Sequence, residues 1–325
     1  MAHTNEAYQV LNVVEANITP YTHFSNELDR EMVVGAAVAG EHILFTGTPG
    51  GGKTTIAKAI ASSLDLSFAR FQGDPMSTTK HVIGSRIYNA ATSEIDFHEG
   101  PIFSDIFLAD EFNRNSGQTQ AAVIEAMQEG QVTPPLMETR SLSDNFLVIA
   151  TQNKQDKTDG INLLTQANQD RFSLSVDLSK PYNENDLRIV SAAADKWEDG
   201  APSPVVGSVE LAIAKNALKT IRRTADADRL RHAQWLVMSV REHPLVDRRE
   251  TILDMARPAL KLMRMAAISA AHRDSAILEE VDINRTARYV LGHRIEPTLK
   301  AMKDGYTSQS LVDEIIAEHQ LPTTD

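Results

Sequence analysis

Cysteine is absent from all 325 residues, which excludes disulfides and thiolate metal sites. Long apolar runs are absent too, and none approaches the length of a membrane-spanning helix. The first residues, Met1-Ala2-His3-Thr4-Asn5-Glu6, lack the basic start and apolar core of an export signal. The expected location is therefore the cytoplasm. Positive charge is scarce: 32 Lys and Arg against 44 Asp and Glu leave a net charge of −12. No basic stretch is interleaved with aromatics, so a dedicated nucleic-acid surface is not expected. No His-x-x-x-His or His-Glu-x-x-His pair offers a zinc site, and no Gly-x-Ser-x-Gly elbow offers a nucleophile. His272-Arg273-Asp274 copies a kinase triplet without the rest of the kinase set, and reads as a polar helix end. Internal repeats and low-complexity segments are missing. What remains is an ordinary globular composition, 42% hydrophobic and 23% charged, in a chain long enough for about two domains.

The stretch with the clearest chemistry is Gly47-Thr48-Pro49-Gly50-Gly51-Gly52-Lys53-Thr54. An apolar run, His42–Thr46, precedes it, and a helical run beginning Thr55-Ile56-Ala57-Lys58 follows it. Strand, G-x-x-x-x-G-K-T loop and helix make a phosphate-binding loop. Glycines let successive backbone N–H groups turn inward around phosphate oxygens. The helix start adds partial positive charge. Lys53 is the cation for the β- and γ-phosphates, and the Thr54 hydroxyl is a ligand for Mg²⁺. Residues 47–55, including Thr55, are the expected nucleotide cradle.

Further along, Ile106-Phe107-Leu108-Ala109-Asp110-Glu111 reads as a buried parallel strand ending in two acids. Ligands of such sheets bind at the carboxyl ends of the strands. Asp110 is expected to hold Mg²⁺ through water, and Glu111 to polarise the attacking water. Phe146–Thr151 is a second buried strand, ending at Gln152-Asn153, where an uncharged amide can orient a water beside phosphate. The alternating run Leu66–Gln72 is an outer strand whose final Gln72 could restrain Glu111. Arg114 is expected in an intramolecular ion pair. Helices are expected over Ala7–Ala16, Glu31–Ala39 and Ser116–Glu129, with Gly130 as a cap. Ser85–His98 reads as an insertion loop or hairpin, and about Gln131–Ser143 as a protruding hairpin. After the strand Ser173–Leu178, Pro181 marks a boundary. From Asn183 to about Ala301 the pattern is helical throughout. Within it, Ala259–Ala271 is amphipathic, with Leu260, Met263, Ala267 and Ile268 on one face. A tail helix spans Ser310–His319.

Taken in order, these residues resemble the MoxR-type AAA+ ATPases over roughly residues 30–300. The matching segments are the phosphate loop, Glu99–Phe103, Leu108–Arg114, Thr119–Met127, Ala150–Asn153, Asp170–Phe172 and Arg241–Pro244. The succession Asp-Glu-x-Asn-Arg, Ala-Thr-Gln-Asn, Asp-Arg-Phe is specific. The resemblance implies an α/β fold, the αβα sandwich of an AAA+ P-loop NTPase with a parallel sheet in residues 1–181. An all-helical lid in residues 182–325 would follow. It implies a hexameric ring with ATP and Mg²⁺ between subunits. By match, Asn153 resembles the sensor 1 residue, Arg171 the finger that reaches a neighbour's γ-phosphate, and Arg257 the sensor 2 arginine of the lid. The family's usual Ser-Pro-Arg is replaced here by Ala256-Arg257-Pro258. In such rings the two insertions face the pore or the substrate. The activity implied is ATP-driven remodelling of a protein partner, often one with a von Willebrand factor A-type domain. A nucleic-acid motor or loader on a related scaffold is the alternative, disfavoured by the acidity.

Overall fold

The computed structural model describes residues 2–48, 50–89, 93–134, 137–152, 164–179, 183–248, 251 and 256–320. The strands, in chain order, are β1 (Ile43–Thr46), β2 (Phe68–Gln72), β3 (Gly84–Asn89), β4 (Glu94–Glu99), β5 (Ile106–Asp110), β6 (Gln131–Val132), β7 (Arg140–Ser141), β8 (Leu147–Gln152) and β9 (Leu174–Asp177). Five of them form one parallel sheet in the order β2-β5-β8-β1-β9. The apolar runs explain the arrangement. Every residue of β1 and β5, and all but the last of β8, is buried, which needs helices on both faces. The edge strand β2 is half exposed and carries Arg70 and Gln72.

The first helices are α1 (Ala2–Ile18), α2 (Glu27–Ala39), α3 (Lys53–Ser63), α4 (Thr79–Ile83), α5 (Gly117–Glu129) and α6 (Gln166–Gln169). From β1 the chain crosses through α3 to β2 at one edge, and it returns at the end to β9 on the other side of β1. That reversal opens a crevice at the carboxyl end of β1. Ser116 caps α5 by accepting from Thr119 N, and Gly130 ends it. The insertion at Ser85–His98 is a hairpin, with β3 and β4 paired antiparallel from Gly84↔Glu99 to Asn89↔Glu94. The second expected hairpin is closed by the short β6–β7 pair.

The remaining helices are α7 (Glu184–Glu198), α8 (Ser208–Arg223), α9 (Ala227–Glu242), α10 (Ala256–His272), α11 (Glu280–Leu291), α12 (Leu299–Lys303) and α13 (Ser308–Gln320). The tail helix α13 packs on α11, with Leu311, Val312 and Ile315 fully buried. The amino-terminal α1 lies on α8 and α10 and also touches α3, burying Leu11, Val14 and Ile18. Helix α10 is the centre of this helical layer and is buried along most of its length. Leu260 differs from the expectation that it shares the buried face: it is 59% exposed. It lines a cavity together with Arg257 and Arg264 of the same helix. Pro181 lies outside the described residues.

Candidate functional site

The phosphate loop lies in the crevice. Gly52 caps α3 in the left-handed conformation, φ 71°, which a side chain would strain. The turn presents the free N–H groups at the start of α3 to the cleft. Lys53 folds back on the loop, with Nζ donating to Gly47 O at 3.0 Å and Thr48 O at 2.6 Å. Burial pulls Lys53 below the ordinary lysine range, while Asp110, Asp177 and Glu111 pull the other way. Pro49 lies outside the described residues.

Facing the loop, β5 delivers the two acids. Asp110 is buried. Thr151 Oγ1 donates to its Oδ1 at 2.6 Å, and Arg70 Nε donates to its Oδ2 at 2.9 Å. Glu111 leaves the strand in the left-handed region at φ 50°, a conformation that costs free energy outside glycine. Its N–H is held by Thr151 Oγ1 at 2.8 Å. Gly73 makes the neighbouring turn possible, since a Cβ there would lie 2.1 Å from Glu111 O. Gln72 Nε2 donates to Glu111 Oε2 at 2.8 Å, the restraint anticipated from its strand-end position. Arg114 pairs with the same oxygen at 3.1 Å. Arg70 also donates to Gln72 Oε1. The cleft of about 350 Å³ thus has both cations and both carboxylates in hand: Lys53, Arg70, Asp110 and Glu111, with Thr54 and Thr55 at its floor.

Thr54 and Asp110 fit a hard divalent cation, because hydroxyl and carboxylate oxygens are what Mg²⁺ prefers. Bound there, the ion would neutralise phosphate charge. Gln152 ends β8 with its Oε1 buried and without a hydrogen-bond partner among the described residues. Asn153 lies outside the described residues.

Arg171 and Arg257 are not in this cleft. They line a second cavity of about 330 Å³, together with His42, Lys261 and Arg264. The two cavities share no lining residue. Ser173 N bonds His42 O just before β9 and β1 begin, so Arg171 stands at the amino end of the sheet and Lys53 at its carboxyl end. The length of β1 alone separates the two ends by roughly 10 Å. Arg171 Nε is buried with no hydrogen-bond partner among the described residues. Arg257 Nη1 instead donates to Asp170 Oδ2 at 2.6 Å. Burial raises Asp170, but Arg294, Arg257 and Lys261 outweigh it and hold the carboxyl below its usual range. Burial pulls Lys261 below the ordinary lysine range, with Arg294 adding to the fall, while Glu41 and Asp170 favour the charged ammonium.

A P-loop nucleotide site on a parallel sheet with a helical lid defines the class, and the comparisons name the family. Residues 42–174 match the ATPase family associated with various cellular activities (AAA), and residues 250–315 match the AAA lid domain. The chain is 32% identical over 289 residues to the uncharacterized protein YeaC of Bacillus subtilis, covering 88% of this chain and 87% of that one. It is 27% identical over 309 residues to Chaperone MoxR1 of Mycobacterium tuberculosis, covering 91% and 78%. A crystal structure of a Cytophaga hutchinsonii protein taken to be an ATPase superposes with TM-score 0.84 at 25% identity, covering 97% and 96%. The chain belongs to the MoxR family of AAA+ ATPases.

Sequence reading missed Arg70, Lys261, Arg264 and Arg294. Arg70 carried a faint signal, a charge one alternation before Gln72 on a strand ending at the cleft. Arg294 and Lys261 carried none, because their partners lie far away in the chain.

Proposed function

We propose that this chain is a Mg²⁺-dependent ATPase that acts as a ring and remodels or activates a protein partner in the cytoplasm. The observation that carries this reading is that the phosphate loop and Arg171 line separate cavities at opposite ends of the sheet. The Lys53 half has a nucleotide cradle and an acid for water, Glu111, but among the described residues no arginine beyond Arg70 and Arg114, both turned to carboxylates. The Arg171 half offers cations and no cradle. Neither half hydrolyses ATP well alone. A head-to-tail contact brings the Arg171 half of one subunit onto the Lys53 half of the next, and such heterologous contacts close into rings. A hexamer is the expected closure.

Within one such interface the roles follow from chemistry. Residues 47–55 hold the triphosphate through backbone N–H groups and Lys53. Thr54 and Asp110 would hold Mg²⁺, Asp110 through water, and the ion would offset the charge of the phosphates. Glu111 takes the proton of the attacking water once Gln72 and Arg114 release it. Asn153 orients that water, and Arg171 and Arg257 of the neighbour meet the charge that develops on the phosphoryl group. Residues 1–181 supply the cradle and residues 182–325 the lid. The chaperone named among the relatives supports a protein substrate, and a von Willebrand factor A-type domain is the expected partner. Pull-down on a Glu111→Gln trap is the way to identify it.

Mixed subunits test the division. Lys53→Ala lacks a working cradle but keeps Arg171, whereas Arg171→Ala keeps the cradle. Each alone should be nearly inactive, with Arg171→Ala turning over about 10³–10⁵-fold slower while still binding ATP. Mixed together, they form some intact interfaces and regain activity, provided wild type doped into either mutant exchanges normally. Light scattering with a non-hydrolysable ATP analogue should show the ring. A strict monomer at micromolar concentration, or an Arg171→Ala variant that cannot bind ATP, counts against the reading.

A further inference from the structure

Arg171 is held through its backbone. Its Nε has no hydrogen-bond partner among the described residues, so what aims the side chain is the backbone of the turn Asp170-Arg171-Phe172. Three successive carbonyls of that turn precede β9 and take no part in the sheet. Lys261 of α10 donates to all three, to Asp170 O at 3.0 Å, Arg171 O at 2.5 Å and Phe172 O at 2.8 Å. An ammonium has three donors to give. Arg294, in the turn after α11, adds Nη2 to Asp170 O at 3.1 Å and to Phe172 O at 2.6 Å, with Nε on Asp170 Oδ1 at 2.7 Å. Arg294 is 2% exposed and Lys261 9%. Phe172 is wholly buried, with its ring 6.4 Å edge-on from that of Phe112. Buried cations spent on backbone carbonyls are costly to bury without such partners. Both come from the helical layer, and both serve the short turn that carries Arg171.

We propose that Lys261 and Arg294 are positioning residues for Arg171. They tie a subunit's lid to the cation that the subunit lends its neighbour, so that lid and arginine move as one piece. This rests on the reading that Arg171 serves a neighbouring nucleotide. A preorganised cation stabilises a transition state only where its base is held firm. With the clamp cut, Arg171 keeps its charge and loses its aim.

Lys261→Met tests this in the full-length protein. A fluorescent ATP analogue should bind with affinity within about twofold of wild type, because the cleft around Lys53 is untouched. Turnover should fall roughly 10²-fold, the cost of a misplaced catalytic group. The variant should also fall in one complementation class with Arg171→Ala. Mixed with Lys53→Ala it regains activity, because the intact Arg171 then comes from the Lys53→Ala subunit. Mixed with Arg171→Ala it regains none. A general loss of folding cannot produce that pattern, and thermal melting establishes that the variant folds. If it does not, Arg294→Lys replaces it: that change keeps a buried cation and loses the fork that serves Asp170 O and Phe172 O. A folded variant with wild-type turnover overturns the proposal, as does one that complements Arg171→Ala or loses nucleotide affinity. Arg171→Ala, run alongside, separates the two ideas. If Arg171→Ala is inactive and Lys261→Met is normal, only the clamp fails. If Arg171→Ala is itself fully active, the reading of Arg171 fails first.

Discussion

The two cavities differ in how their charges are met. Around Lys53, each carboxylate has a cation and each cation an oxygen: Arg70 on Asp110, Arg114 on Glu111, Lys53 on its own loop carbonyls. Around Arg171 the balance is uneven. Arg171, Arg257, Lys261 and Arg264 line the space against Glu41, and Asp170 lies behind it. The first cavity is a closed circuit that a nucleotide must open. The second has positive charge to spare for an anion brought from outside. The proposed division between a receiving site and a completing one therefore coincides with a difference in which cavity satisfies its own charges.

The largest effects are expected in the receiving cleft. Lys53→Ala should abolish nucleotide binding, since the loop loses its only reaching cation. Glu111→Gln should retain binding while turnover falls about 10²–10⁴-fold, the usual contribution of a general base. Equilibrium binding and steady-state hydrolysis, measured side by side, separate the two. Wild-type turnover in Glu111→Gln would sink the assignment of the second acid.

A smaller effect sharpens the closed-circuit description. Gln72→Ala removes one of two restraints on Glu111. Basal hydrolysis without partner should rise roughly 2- to 10-fold, the worth of one net hydrogen bond. Arg114 still holds the carboxylate, so the lower end is expected. A fall in basal rate would mean that Gln72 orients Glu111 for catalysis instead of holding it back.

The smallest effect lies outside both cavities. Glu15 of α1 faces α10, with its Oε1 3.4 Å from His272 Nδ1. Burial raises its pKa to about 7, against the pull of Arg30, while burial lowers His272 to about 4. A protonated Glu15 can thus donate to a neutral imidazole whose Nε2 faces Glu31 O. Between the ordinary carboxyl range and pH 7 the native chain holds a proton that the unfolded chain has released. Its stabilising contribution is full below about pH 4.5 and is lost as pH rises through about 7. Urea midpoints at pH 5.5 and 8 should fall less steeply in Glu15→Gln than in wild type. Hydrolysis at fixed pH should be unchanged, since neither cavity is touched. An equal slope in both proteins would place the proton elsewhere.

Much of the receiving cleft was legible because its parts are local. G-x-x-x-x-G-K-T sets its own turn and helix start, and an apolar strand ending in Asp110-Glu111 announces its carboxyl edge. Gln72 meets Glu111, as its strand-end position allowed, and the Ser85–His98 insertion is a hairpin. Arg114 forms the expected intramolecular ion pair, but its partner Glu111 was not legible. Helix α10 was recognised as amphipathic, but periodicity alone put Leu260 on the buried face. Leu260 instead lines the cavity beside Arg257 and Arg264. The tail helix was visible and its packing was not, because burial depends on what lies opposite.

Sequence alone determined the phosphate loop, the strand-end acids and the succession of a sheet domain and helices. Bonds between neighbours in the chain need little beyond local geometry to form. Tertiary structure decided the rest: Arg70 meets Asp110 across 40 residues, Lys261 reaches Asp170 across 91 and Arg294 across 124. Only the packing of the helices onto the sheet brings those charges together, and it puts Arg171 at the opposite end of the strands from Lys53. Spacing in sequence carries no distance between elements that fold back on one another, so the hold of Lys261 and Arg294 on the turn of Arg171 was visible only once the chain had folded.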